Sequence, residues 1–93
     1  MSEIIHILVQ GRVQGVGFRQ FTQDTARWLG IAGWVRNLPD GRVEVLARVS
    51  AEIKTKFLAA LRQGPTHSRV DHLSVDTPTE DMNCPDQGFA IRH

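Results

Sequence analysis

The residue types best suited to chemistry in this sequence sit together in one short stretch, Gly11-Arg12-Val13-Gln14-Gly15-Val16-Gly17-Phe18-Arg19. Three glycines within seven residues are a poor choice for the interior of a strand or helix, because glycine loses the most backbone freedom on ordering. They suit a tight loop in which the chain needs positive φ or another group must approach the backbone. A loop feeding a helix leaves several main-chain N–H groups aimed one way without partners. Such a concave set of donors favours an anion. Arg19 adds a planar guanidinium whose fork matches two phosphate oxygens. Gln14, Gly15, Val16, Gly17, Phe18 and Arg19 therefore read as a phosphate cradle.

Capping chemistry points the same way. No Ser, Thr, Asp or Asn stands at the start of the helix after the loop, where Gly15, Val16 and Gly17 sit. A later helix has Ser50 just before Ala51-Glu52-Ile53, a cap with an acidic residue in the first turn. Two better-known phosphate loops do not fit. A Walker-type loop needs Gly-Lys-Ser/Thr before its helix, and the dinucleotide fingerprint needs glycine where Gln20 stands. His6, His67, His72 and His93 show no ligand spacing with Cys or carboxylates, so no metal site is expected. Asp40 reads as a turn residue, Asp71 and Asp76 as solvated strand positions, and Arg36 as part of a solvated strand face.

The elements that must position the loop follow from periodicity. Residues 4 to 10 alternate as a strand, with Ile5, Ile7 and Val9 on one side and Ile4, His6, Leu8 and Gln10 on the other. Phe18, Phe21, Thr25, Trp28 and Leu29 recur at helical spacing, and Gly30 is a stop. Residues 31 to 37 form a second strand, Pro39-Asp40-Gly41 a turn, and Arg42 to Val49 a third strand with Val43, Val45, Ala47 and Val49 on one face. Ser50 opens a helix with an apolar stripe of Ile53, Phe57, Ala60 and Leu61, which Gly64-Pro65 ends. Val70 to Asp76 and Phe89 to Arg92 complete the strands, and Thr77 to Gln87 reads as a surface loop. The order β-α-β-β-α-β plus a short end strand predicts an α+β, ferredoxin-like sandwich. Its two helices would cover one face of a mostly antiparallel sheet and leave the other to solvent. Asn37, at the end of the second strand, can reach the glycine loop.

Composition bounds the rest. Ninety-three residues, with 41% hydrophobic and 23% charged, fit one soluble domain spanning 1–93. A net charge of +1 does not favour a nucleic-acid partner. The same element order serves single-stranded RNA binders, but the candidate outward residues His6, Leu8, Arg42, Glu44, Leu46 and Arg48 include no Phe or Tyr for base stacking. No run is long enough to cross a bilayer, and the first residues lack a signal-peptide pattern. Cys84 is the sole cysteine, so no internal disulfide forms and the cytoplasm is the expected location. It reads as an ordinary exposed thiol. A monomer is expected.

The loop stretch resembles the first signature of the acylphosphatases, and Gly33-Trp34-Val35-Arg36-Asn37-Leu38-Pro39-Asp40-Gly41-Arg42-Val43-Glu44 resembles the second. Gly64-Pro65 and the ending Gly88-Phe89-Ala90-Ile91-Arg92 are similar in kind, so the likeness spans nearly the whole chain. Two departures stand out. Val49 occupies a place where the second signature usually closes with glycine, and Leu38 follows the asparagine where Lys, Ser or Thr is common. The resemblance implies hydrolysis of acyl phosphates, a small-molecule substrate class, to carboxylate and inorganic phosphate. Arg19 would bind the phosphate and Asn37 would position the attacking water. It implies no cofactor, no metal, no nucleic acid and no membrane. The alternative is a non-catalytic anion or metabolite-binding module using the same cradle.

Overall fold

The computed structural model describes residues 2–93. Strand β1 (Glu3–Arg12) leads to helix α1 (Phe18–Leu29), the hairpin β2 (Ala32–Asn37) and β3 (Val43–Val49), helix α2 (Ala51–Gln63), β4 (Arg69–Asp76) and the short β5 (Phe89–Arg92). The sheet order is β4-β1-β3-β2-β5. β1 runs antiparallel to β3 and β4, and β2 antiparallel to β3. β5 alone lies parallel to its neighbour, β2. This is the α+β, ferredoxin-like arrangement expected from the element order, with the terminal strand as an added edge.

The alternating residues of β1 and β3 behave as their pattern demands. Ile5, Ile7, Val9, Val43, Val45, Ala47 and Val49 form the sheet side of the core. Phe18 and Ala26 of α1 and Phe57, Leu58 and Leu61 of α2 cover them. Val49 is therefore a core residue at the end of β3, immediately before the Ser50 cap.

Three expectations need correction. β1 does not stop at residue 10; it runs to Arg12, and its pairing with β4 shifts register between Gln10 and Gly11. Gly11 thus belongs to the sheet, where β4 passes so near that a Cβ would lie 2.1 Å from the Arg69 carbonyl oxygen. Second, the buried stripe of α1 is Phe18, Thr22 and Ala26, while Trp28 is 87% exposed. Thr22 is tolerated inside because its hydroxyl donates to the Phe18 carbonyl at 2.8 Å. Phe21 and Leu29 of the expected stripe pack at the edge of the core, whereas Trp28 lies beyond it, off the i, i+4, i+8 stripe that is fully buried.

Third, the sheet face away from the helices is not left to solvent. Trp34, Leu46, Ala32 and Glu44 lie on it and are buried. Residues 77–88 cross this face: the Trp34 indole N–H donates to the Met82 carbonyl at 3.1 Å, and Arg48 reaches Asp86 at 3.4 Å. Trp34 therefore stands on the face whose candidate outward residues included no Phe or Tyr. At 2% exposure Trp34 offers no open ring for stacking. Cys84, in the same segment, is half-buried rather than exposed, and burial pushes its thiol pKa up, away from nucleophilic use.

Candidate active site

The turn between β1 and α1 is built by glycine. Gly15 and Gly17 have φ of 74° and 78°, in the left-handed region that other residues adopt at a cost. A Cβ on either would meet nothing within 4 Å, so the demand is on the backbone angle and the space beyond stays open. Gly17 is the N-cap of α1, and no side chain closes that helix start. Among the described residues, no hydrogen bond is donated by the main-chain N–H groups of residues 15 to 20. The positive end of a helix dipole therefore faces the loop without a screen.

Side chains complete a cavity of about 320 Å³ lined by Gly15, Gly17, Phe18, Arg19, Asn37 and His93, with Val13, Gln20 and Ile91 at its walls. Arg19 is half-buried and makes no ion pair among the described residues. Its sole hydrogen-bond contact there is from Nη1 to His93 Nδ1 at 3.4 Å. The Asn37 side-chain oxygen is buried and, among the described residues, has no hydrogen-bond partner. A buried, unsatisfied acceptor is costly to maintain. One cation, one unpaired amide oxygen and a row of free N–H groups thus converge, an arrangement fitted to an oxyanion and a hydrogen-bond donor beside it.

Not every residue of the expected cradle contributes a side chain. Gln14 turns away: its amide donates to the Leu38 carbonyl at 2.8 Å and the Arg42 carbonyl at 2.9 Å. It ties the glycine loop to the β2–β3 turn, and Leu38 takes part through its main chain. Val16 packs against the core instead of lining the cavity. Asp40 serves the turn as expected, accepting from the Arg42 N–H at 3.1 Å and from its guanidinium at 2.8 Å. The β2–β3 register Asn37↔Val43 then sets Asn37 against the glycine loop.

Arg36 is more constrained than a solvated strand residue. It pairs with Glu44, which also accepts from the His6 imidazole at 2.8 Å, linking β2, β3 and β1. Burial alone would raise the Glu44 carboxyl, but hydrogen bonds from His6 and Arg36 outweigh it and hold the group below its ordinary range. The contribution of this network is therefore present above the usual glutamate range and is lost as pH falls through the lowered value. Arg36 and Arg92 both lie over the Trp34 ring, at 5.3 and 4.8 Å from its centroid. Arg36 is thereby held on the opposite face from the cavity.

Sequence reasoning missed His93 and Ile91. Both come from the last strand, and only its parallel pairing with β2 brings them beside Asn37. No local pattern signals that placement. No group of three or more metal-ligating side chains assembles among the described residues, and no helix among them is long and apolar enough to cross a membrane. A larger cavity, about 640 Å³, lies between the C-terminal end of α1 and residues 85–90, lined by Arg27, Ile31, Pro85 and Phe89 among others. It shares no residue with the Arg19 cavity.

Comparison with known proteins agrees with the geometry. The Acylphosphatase family model matches residues 5–91. The chain is 48% identical over 82 residues to an acylphosphatase of Koribacter versatilis, covering 88% of this chain and 74% of that one. It is 53% identical over 68 residues to an acylphosphatase of Thermus thermophilus, covering 73% and 77% respectively. The crystal structure of acylphosphatase from Bacillus subtilis superposes with a TM-score of 0.88 at 39% identity, covering 100% of both chains. The chain belongs to the acylphosphatase family and is a hydrolase of acyl phosphates.

Proposed function

We propose that the main-chain N–H groups of Gln14 to Arg19 and the Arg19 guanidinium hold the phosphoryl group, while Asn37 positions the attacking water. The observation that carries this reading is the uncapped start of α1 opening on the same cavity as Arg19 and the unpartnered Asn37 oxygen. The chemistry asks for little more. The leaving group is a carboxylate, already stable as an anion, so no strong general acid is required. Phosphoryl transfer passes through a loose transition state in which positioning and charge stabilisation do most of the catalysis. Fixed N–H donors and a guanidinium supply that stabilisation without reorganising. The Asn37 carbonyl oxygen accepts a hydrogen from water and turns its lone pair toward phosphorus. A neutral amide does this without repelling the dianion, as a carboxylate would.

On this reading Gly15 and Gly17 hold the backbone open, Phe18 anchors the helix start in the core, and Gln14 and Val16 fix the loop from behind. The 93 residues act as one unit, as a monomer in the cytoplasm, with no metal in the reaction. The test is decay of benzoyl phosphate absorbance in the presence of a chelator. Rapid, chelator-resistant decay is expected. Phosphate binding without decay would point instead to a catalytically silent anion sensor built on the same cradle, and decay abolished by the chelator would overturn the metal-free mechanism.

A further inference from the structure

We infer that His93 couples the site's affinity for dianions to pH: its neutral imidazole holds Arg19, and its imidazolium stands beside Arg19 as a second cation. The inference rests on the phosphate reading of the Arg19 cavity. Parallel pairing of β5 with β2 in the register Arg36↔Arg92 carries the next residue, His93, to the level of Asn37. There its ring lines the cavity opposite the glycine turn. Nδ1 lies 3.4 Å from Arg19 Nη1. A guanidinium has donors and no acceptor, so this contact requires an unprotonated Nδ1.

Among the described residues, His93 and Arg19 are the only titratable side chains lining the cavity, and no carboxylate side chain lines it. The nearest other charges on the adjoining strands, Arg36 and Arg92, lie over Trp34 on the far face, where Glu44 pairs with Arg36. Protonation removes the acceptor that Arg19 was using and raises the cavity's charge. Two cations this close repel each other unless an anion lies between them. A bound dianion favours the protonated ring, and by thermodynamic reciprocity the protonated ring favours the dianion to the same degree. Histidine is the side chain whose charge ordinarily changes between about pH 5 and 8, so that is the range in which the coupling is to be tested.

Sulfate is a suitable probe, because it remains a dianion throughout this range while phosphate does not. Competitive inhibition of benzoyl phosphate hydrolysis by sulfate is measured between about pH 5.5 and 8, for the native chain and for His93→Gln. Glutamine keeps an acceptor for Arg19 and cannot ionise. The native inhibition constant is expected to tighten by about tenfold or more toward low pH, the equivalent of one pKa unit of coupling, and the variant's profile is expected to be flat. Equal slopes in the two proteins would overturn the role of His93. Failure of sulfate to compete at any pH would instead remove the phosphate reading of the cavity. Should the variant unfold, an NMR titration of the His93 ring in the native chain decides: sulfate is expected to raise its midpoint, and an unmoved midpoint would overturn the inference.

Discussion

The two helices of this protein begin in opposite ways. α2 starts at Ser50, in extended conformation, whose hydroxyl accepts from the Ile53 N–H at 3.3 Å, with Glu52 in the first turn. α1 starts at Gly17, in the left-handed region, with no side-chain cap and no acidic residue in its first turn. Its second residue is a cation, Arg19, which the helix dipole disfavours at that end. The first helix thus omits each local device that stabilises the second. A good N-cap contributes about 1 kcal/mol, and α1 forgoes it. Packing holds α1 instead, through Phe18, which is 1% exposed, and through the Thr22 hydroxyl bonded back to Phe18. Local stability is relinquished at the turn that leaves main-chain donors free.

The largest effect expected from disturbing this contrast is at Arg19. Arg19→Gln should abolish acyl phosphate hydrolysis while circular dichroism and the unfolding midpoint stay close to native, since the residue makes no ion pair among the described residues. Retained activity would mean that the phosphate is held elsewhere. Asn37→Ala should lower kcat by about 10²-fold, the scale of losing one preorganised hydrogen-bonding group, with little change in KM. A collapse of binding with kcat intact would contradict the water-positioning role.

Gly17→Asp tests the open start directly. Aspartate tolerates the left-handed region better than most residues, and its carboxylate would occupy the free N–H groups and repel a dianion. KM should rise by about tenfold, comparable to the worth of a cap, and an unchanged KM would show that these donors do not face the substrate. The mirror experiment is the mildest. Ser50→Ala should cost about 1 kcal/mol of stability in urea unfolding and leave kcat and KM unaltered. An equal loss of activity would mean the two helix starts are not functionally distinct.

Much of the site is legible in the chain because its signal is local. A glycine pair without a capping residue, followed two residues later by arginine, carries its meaning within a few positions, and so does the Pro39-Asp40-Gly41 turn that delivers Asn37. Side-chain direction is less legible. Gln14 sits inside the loop sequence yet reaches the carbonyls of Leu38 and Arg42, which depends on a turn more than twenty residues away. Trp28 looked like a core residue by size and spacing. The choice among overlapping helical stripes was made by which one met the sheet, and Thr22 with Ala26 won.

By itself, the sequence determined the element order, the inward faces of β1 and β3, and the two contrasting helix starts. Those properties arise from backbone preference and from hydrophobic alternation over short spans. Tertiary structure decided that residues 77–88 cover Trp34. It also decided that His93 stands within reach of Arg19. Each of these depends on the pairing of β5 with β2 or on a loop crossing the sheet, contacts between residues far apart in the chain that no local pattern encodes.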